Sequence, residues 1–313
     1  MIRLDHRQLV PESLRGAVIA LGNFDGFHLG HQAVVCEAVE WARAGGRPAI
    51  VATFDPHPVR HFAPHVPPFR LTSLDQRQEL FAAAGADAML VFHFDDALAG
   101  TTAEDFVAGL LGERIGANGV VTGEDFTFGK GRGGNVAVLR ETGARVDIET
   151  RAVGPVMDGG RPVSSSRIRD ALKAGDCAEA ARLLTRPFAI RGEVIHGDKR
   201  GRAIGYPTAN MELGPYLRPR FGIYAVTALV LSTGEALKGA ASLGVRPMFD
   251  PPKELLEPYF FDFDRELYGE EIEVALIGFL RPEMKFASLG ALQERMAEDC
   301  EQARRLLSTG ASR

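Results

Sequence analysis

The first half of the chain alternates short apolar runs with longer runs of helical composition. Five of the apolar runs have the length of buried strands, at residues 17–21, 49–54, 87–92, 119–122 and 145–148. The helix-like segments lie at residues 32–44, 73–84, 103–111 and 135–142. This alternation predicts an α/β fold with a doubly wound parallel sheet, in which ligand-binding residues follow the strands.

The pattern changes near Thr185–Phe188, after a short helix-like run at residues 178–184. Strand-like runs then follow one another at residues 188–195, 223–231, 237–245, 259–263 and 272–279. Consecutive strands predict an antiparallel β-barrel. A terminal helix is predicted from an apolar stripe, expected to pack in the core or on the barrel, of Leu289, Leu292, Met296, Cys300, Ala303 and Leu307. The predicted domains are residues 1–185 and 186–313.

Composition narrows the class of protein. The 313 residues, 45% hydrophobic and 25% charged, are typical of a globular protein with two domains. A net charge of −5 gives no reason to expect nucleic acid or a membrane as partner. No apolar run is long enough to span a membrane, and none lies where a secretory signal would lie. The separated Cys36, Cys177 and Cys300 favour a reducing cytoplasm and buried thiols. The oligomeric state stays open.

Histidine and glycine are concentrated where the first predicted strand ends and a helix begins. Residues 22–31 read GNFDGFHLGH. Helix N-termini present backbone N–H groups and a positive dipole to anions. His28 and His31 can both face one phosphate, and Gly30 lets that phosphate approach the backbone. A polar surface turn is the alternative, but the strand, glycines, paired histidines and helix start together favour a phosphate site.

Three further segments follow predicted strands or begin helices. For Asp55 and His57 of the TFDPHP run, two interpretations stay open: a role in the site, or a loop whose shape the prolines fix. The prolines also argue against a regular helix that would present His61 and His65 as a metal cluster. GEDFTFGKGRGG at residues 123–134 lacks P-loop spacing, and its cations suit a phosphate or a solvated loop. VSSSRIRDAL at residues 163–172 has serine caps and early arginines that suit an anion.

The first half resembles the bacterial FAD synthetases, a branch of the HxGH nucleotidylyltransferases that transfer a nucleoside monophosphate and release pyrophosphate. GNFDGFHLGH, TFDPHP, the GxDFxFGKGRxG loop and the ISSTRIR motif carry the resemblance. It implies catalytic roles for His28, His31 and Arg169, and flavin binding by Asp125, Phe126 and Phe128. It also implies nucleotide or phosphate binding by Gly22, Asn23, Phe24, Asp25, Gly30, Ser164 and Arg167.

The second half resembles the riboflavin kinases through GRAIGYPTAN at residues 201–210, a close match to their GRxxGxPTAN motif. The resemblance implies phosphate binding by Lys199 and Arg202, Mg²⁺ ligation by Thr208 and Asn210, a general base in Glu257, and flavin binding by Arg281 and Glu283. Each role has an alternative. Lys199 and Arg202 would lie in a solvated turn, and Glu257 would be a surface carboxylate easily confused with Glu254. Arg281 and Glu283 would form an exposed ion pair. Met248 replaces the usual Thr of the family.

Together the motifs predict a bifunctional riboflavin kinase/FMN adenylyltransferase that uses ATP and Mg²⁺. A neutral ribityl hydroxyl needs a general base, whereas the phosphate of FMN is already anionic and needs only positive charge around the transferring group. Two other hypotheses are a nucleotidylyltransferase for another acceptor, such as phosphopantetheine or glycerol phosphate, and a flavin or nucleotide sensor without activity.

Overall fold

The structure is a computed structural model, which describes residues 1–197, 205–246 and 253–309. The chain forms two compact units. The first comprises Met1–Pro67 and Leu74–Ser164, and the second comprises Pro68–Ser73 and the chain from Ser165 onward. The division into domains after residue 185 stays a prediction.

A six-stranded parallel sheet forms the centre of the first unit. Its order is β1-β4-β3-β2-β5-β6. The strands are β1 (Ile2–Asp5), β2 (Val18–Leu21), β3 (Ala49–Asp55), β4 (Ala88–His93), β5 (Gly119–Gly123) and β6 (Glu149–Val153). Ile19 and Leu21 pack into one apolar core, and Val18 and Ala20 pack into another. Because successive side chains of a strand point to opposite faces, both faces of the sheet are covered, and the predicted doubly wound fold is confirmed.

Four of the helices in the first unit match predicted segments, whereas two short helices, at Pro58–Phe62 and Asp96–Gly100, were not predicted. The helices are α1 (Leu29–Ala44), α2 (Pro58–Phe62), α3 (Leu74–Ala83), α4 (Asp96–Gly100), α5 (Ala103–Asp105), which continues as a π-helix (Phe106–Ile115), and α6 (Val136–Ala144). Short 3₁₀ turns lie at Glu12–Leu14 and Lys130–Arg132, and a small hairpin pairs β7 (Met157–Asp158) with β8 (Arg161–Pro162).

Three sequence predictions for the first unit are wrong in detail. Residues 145–148 form a turn rather than a strand, because Asp147 has a left-handed φ of +57° and the Val146 N–H donates to Gly143 O at 3.0 Å. Helix α2 exists despite its prolines, since Pro58 occupies its first turn, where a missing N–H costs nothing. The thiol of Cys36 is exposed on α1 instead of buried.

The second unit is built on six antiparallel strands in the order β10-β13-β12-β11-β14-β9. They are β9 (Phe188–Glu193), β10 (Met211–Glu212), β11 (Gly222–Val230), β12 (Glu235–Arg246), β13 (Lys253–Phe260) and β14 (Glu271–Arg281). An Ile195 N–H donates to Asn210 O at 2.8 Å and links the two ends of the sheet. The predicted antiparallel barrel is confirmed and is nearly closed.

Within the described part of this unit the helices are α7 (Ser165–Ala174), α8 (Cys177–Leu184) and α9 (Leu289–Thr309). Ala303 and Leu307 of α9 are buried against Ala225 and Ala240 of the barrel, as the apolar stripe predicts. The prediction fails at Leu289, which is 58% exposed in the first turn of α9. None of the helices within the described ranges is long and apolar enough to cross a membrane.

The strand predicted at residues 259–263 is displaced. It runs from Lys253 to Phe260 as β13, and the chain turns at Asp262, where φ is +54°. The displacement matters for the site, because it places Glu257 inside a strand, opposite Ser242 of β12, rather than at the entrance to one.

Candidate active sites

His28 and His31 lie together at the N-terminus of α1, directly after the turn that follows β2. His28 is the N-cap of the helix, and its Nδ1 accepts a hydrogen bond from the His31 N–H at 3.4 Å. The two imidazoles stack, with ring centroids 3.6 Å apart and planes inclined by 20°. His28 is 5% exposed and His31 is half-buried. The structure thus brings both imidazoles to a helix N-terminus, where anions are stabilised.

The glycines of this turn make room for the aromatic side chains around it. A Cβ on Gly30 would lie 3.2 Å from His28 Cε1, and one on Gly22 would lie 2.9 Å from Phe24 Cζ. The Phe24 ring is buried and packs edge-on against Phe81, at 5.8 Å between centroids. Phe24 is therefore a core residue, and only its backbone is available to a nucleotide.

Two polar residues of the turn are also buried. Asp25 is inaccessible to solvent, and the side-chain oxygen of Asn23 is buried without a hydrogen-bond donor among the residues that the structure describes. Buried acceptors in proteins are nearly always satisfied. The Asn23 oxygen is therefore a good acceptor for a donor group of a ligand, which agrees with the predicted nucleotide-binding role.

Arg167 has a protein partner that the sequence pattern does not reveal. Its Nε and Nη2 lie 3.0 and 2.5 Å from Glu179 Oε1, and Arg182 Nε lies 3.1 Å from Glu179 Oε2. Hydrogen bonds from Arg182 and then Arg167 hold the pKa of the Glu179 carboxyl below its usual value. This ion pair joins α7 to α8, and it explains one early arginine of α7 without a ligand.

Arg169 is held by Phe69, in the segment Pro68–Ser73 of the same unit. Its Nε donates to Phe69 O at 2.9 Å, and its guanidinium carbon lies 5.2 Å from the centre of the Phe69 ring. Ser164 is the last residue of the first unit, and α7 begins at Ser165 in the second. The predicted phosphate roles of Ser164, Arg167 and Arg169 stay predictions.

The loop after β5 divides its three predicted flavin residues between surface and core. Asp125 is exposed, whereas Phe128 is buried against Phe106, at 5.4 Å between centroids. Phe126 stacks on Phe128 at 5.9 Å and is half-buried. Reciprocal backbone hydrogen bonds join Phe128 to Gly134. Of the two rings, Phe126 is therefore the more accessible to a flavin.

An aromatic group on the same unit was missed by the sequence analysis. Phe62, at the end of α2, is 69% exposed and lies 5.7 Å from Phe94, which in turn lies 6.0 Å from Phe54. His61 stands beside both Phe62 and Phe94, with its Nε2 3.3 Å from Asp96 Oδ1. The available signal was an aromatic residue, Phe62, beside His61 and four residues after the TFDPHP run.

In the second unit, strand register places three polar residues on one face of the barrel. Met211 of β10 lies opposite Leu256 of β13, and the Ala209 N–H donates to Pro258 O at 2.9 Å. This register puts Asn210 opposite Glu257. Ser242 of β12 lies opposite Glu257 on its other side. Since directly opposed residues share a face, the predicted metal ligand and the predicted base project together.

Thr208 and Asn210 supply the oxygen atoms that Mg²⁺ prefers. Asn210 is buried, and its Nδ2 donates to Thr208 O at 3.4 Å, which orients the carboxamide so that Oδ1 is the atom that would coordinate a metal. The donor set therefore fits the metal. Thr208 also lines a cavity of about 340 Å³ whose wall includes Phe260, Leu267 and Tyr268. Lys199, Arg202 and Met248 lie outside the described residues.

The structure distinguishes Glu257 from its neighbour Glu254. Glu254 Oε2 accepts a hydrogen bond from Arg218 Nε at 2.7 Å, in an ion pair with a structural role. Glu257 is half-buried in register with Asn210 and Ser242. This position, in register with the predicted metal ligand, favours Glu257 over Glu254 as the general base.

Arg281 is buried, in contrast to the exposed Arg281–Glu283 ion pair that the sequence allows. Arg281 is buried at the end of β14 and pairs with Asp299 of α9, at 2.8 Å from Nε to Oδ1 and 2.6 Å from Nη2 to Oδ2. Glu283 is exposed, with its carboxylate against the backbone of Gly244. Arg281 is thus an anchor between barrel and terminal helix, and its flavin role stays a prediction.

Comparison with known families agrees with this division of the chain. The FAD synthetase family model matches residues 10–167, and the riboflavin kinase family model matches residues 184–307. A crystal structure described as that of a macrolide-efflux protein from Streptococcus pneumoniae superimposes with a TM-score of 0.86 at 31% identity, over 97% of this chain and 99% of that one. That description belongs to the other protein, and the likeness here is one of fold.

Characterised relatives share both halves in the same order. The bifunctional riboflavin kinase/FMN adenylyltransferase of Escherichia coli K12 is 38% identical over 91% of this chain and 90% of its own. The enzyme of the same name from Pseudomonas fluorescens is 37% identical over 97% of both chains. The chain described here therefore belongs to the bifunctional riboflavin kinase/FMN adenylyltransferase family.

Proposed function

We propose that the chain converts riboflavin to FMN with residues 186–313, and FMN to FAD with residues 1–185, which contain the HxGH turn, with ATP as the donor in both steps. One observation carries the division of work. The stacked His28–His31 pair lies in the first unit, whereas the aligned Glu257 and Asn210 lie in the second. Each chemistry thus has its own set of residues.

Adenylylation of FMN needs positive charge rather than a base, because the attacking phosphate is already ionised. His28 Nδ1 accepts the His31 N–H, so in a neutral ring the other nitrogen, Nε2, carries the proton. That Nε2–H can donate to a phosphate oxygen of ATP at the N-terminus of α1. We assign Arg169, and less directly Arg167, to the triphosphate and the leaving pyrophosphate.

Phosphorylation of riboflavin starts from a neutral hydroxyl, and we assign its proton to the carboxylate of Glu257. Thr208 and Asn210 would hold Mg²⁺ beside that carboxylate, and the bound metal would neutralise charge on the transferring phosphoryl group. Lys199 and Arg202 are proposed to bind the phosphates of ATP. The cavity beside Thr208 has the size of a small-molecule site, and we assign it to the nucleotide.

The direct test is incubation of the chain with riboflavin, ATP and Mg²⁺, followed by chromatography of the yellow products. The proposal predicts FMN and then FAD. A sensor would return riboflavin unchanged, and a nucleotidylyltransferase for another acceptor would yield FMN without FAD. A reducing cytoplasmic location, and the expectation that neither nucleic acid nor a membrane is a partner, stay predictions.

A further inference from the structure

A buried arginine on α3 reaches the backbone of the HxGH turn. Arg77 is 3% exposed, and its Nη1 donates to Thr53 Oγ1 at 2.7 Å and to Asn23 O at 3.2 Å. The fully buried hydroxyl of Thr53 donates to the same Asn23 carbonyl at 2.8 Å. One carbonyl at the start of the turn therefore accepts two hydrogen bonds, one from a charged donor.

That carbonyl directly precedes an unusual backbone conformation. Phe24 has φ of +50° and Phe27 has φ of +47°. Left-handed conformations are uncommon for bulky residues and persist where the surrounding structure holds them. The hydrogen bonds to Asn23 O fix the chain immediately before the first of these residues. The turn is thus held in its shape from outside rather than by its own sequence.

The same face of α3 also holds the side chains of the turn. Phe81 lies four residues after Arg77, hence on the same side of the helix. Its ring contacts those of Phe24 and Phe27, at 5.8 and 5.2 Å between centroids. Phe24 then meets His31 edge-on at 5.3 Å. A continuous set of contacts therefore leads from α3 to the stacked imidazoles.

We infer that Arg77 is a positioning residue for FMN adenylylation, which fixes the Asn23 carbonyl and thereby the placement of His28 and His31. A buried guanidinium is costly and poorly replaced by other donors, because the N–H groups of its Nη1 lie in a fixed plane and reach both Asn23 O and Thr53 Oγ1. The inference rests on the proposed role of the two histidines. It assigns a function to a residue of α3 that belongs to none of the sequence motifs.

The variant Arg77→Met removes the donors and keeps most of the apolar stem. We expect kcat for FAD formation from FMN to fall about 10- to 100-fold, as small displacements of catalytic groups do, with little change in KM for ATP. Riboflavin phosphorylation by the same preparation should be unchanged. Arg77→Lys should recover part of the loss, and the exposed arginine of α6 supplies the matched control, Arg140→Met, with full activity.

Combination with His28→Ala separates positioning from general stability. If Arg77 acts through the histidines, Arg77→Met should cost little of the residual rate of FAD formation that a high enzyme concentration reveals in the His28→Ala chain. An equal loss in both backgrounds, or an equal fall in kinase and adenylyltransferase activity, would overturn the inference. If Arg77→Met is fully active while His28→Ala is inactive, the inference about Arg77 is wrong and the proposed function of the turn stands. If His28→Ala is fully active, the proposed function of the turn is refuted.

Thr53→Val provides a milder change should Arg77→Met fail to fold. It removes the hydroxyl that donates to the Asn23 carbonyl and accepts from Arg77, but it leaves the hydrogen bond from Arg77 to that carbonyl in place. We expect a smaller loss of kcat for FAD formation, again without loss of kinase activity. If Thr53→Val folds and retains the full kcat, the Asn23 carbonyl does not control the site, and the inference is wrong.

Discussion

Arg281 of β14 and Asp299 of α9 form a buried ion pair, with both carboxylate oxygens accepting hydrogen bonds from one guanidinium. The pair connects the last strand of the barrel to the terminal helix. Arg281 was predicted to bind flavin from its motif. Its geometry shows a structural role, since the end of β14 is fixed to α9 through this contact.

Asp299→Ala should destabilise the second unit strongly. Removing one partner of a buried pair leaves an uncompensated charge and lowers the free energy of unfolding by about 3–5 kcal/mol. For a unit of this size we expect the thermal midpoint to fall by roughly 10 °C. The exposed neighbour provides the control, Glu298→Ala, which should change the midpoint little. An unchanged midpoint in Asp299→Ala would contradict the anchoring role.

Phe69→Leu should weaken FAD formation without affecting the kinase. The substitution removes the ring that lies 5.2 Å from the Arg169 guanidinium but keeps the backbone carbonyl that accepts from its Nε. A cation–π contact of this kind corresponds to about two- to fivefold in rate. Steady-state assays of both activities in one preparation measure the effect. Equal losses in the two activities would indicate a folding defect instead.

Acid should destabilise the first unit through His6. The side chain is buried, its Nδ1 accepts the His93 N–H at 3.0 Å, and desolvation lowers its pKa in the folded chain. The unfolded chain therefore binds more protons just below the ordinary pKa of histidine, and stability falls as pH drops from about 7 towards 5.

The variant His6→Asn tests this prediction, because its carboxamide oxygen can accept the same hydrogen bond without titrating. Thermal midpoints measured from pH 7 to pH 5 should fall more steeply for the unmodified chain than for His6→Asn. Parallel curves for the two proteins would show that protonation of His6 does not determine the acid sensitivity.

The sequence predicts the elements of this fold well where apolar runs are long. Strands β2, β3 and β4 are buried on both sides, and continuous aliphatic runs like theirs are typical of such strands. Strand β1 was missed because its four residues, Ile2–Asp5, are too few for their alternation of apolar and charged side chains to be distinctive. The turn at residues 145–148 was mistaken for a strand because the buried Ile148 belongs to the core without belonging to the sheet.

The partners of the candidate site residues were less predictable. Glu179 lies 12 residues from Arg167, Asp299 lies 18 residues from Arg281, and Phe69 lies 100 residues from Arg169. Such pairs depend on how helices and strands pack, which local periodicity does not encode. The motifs predict which groups carry the chemistry, whereas the structure shows which side chains hold those groups.

The central claim is that each half of the chain performs one of the two reactions. Product analysis of His28→Ala and Glu257→Gln, supplied in turn with riboflavin and with FMN, tests it most directly, with Glu254→Gln as a control that should retain both activities. The account predicts that His28→Ala accumulates FMN without FAD, and that Glu257→Gln leaves riboflavin unphosphorylated but still converts FMN to FAD. Loss of both activities in either variant, while it remains folded, would contradict it.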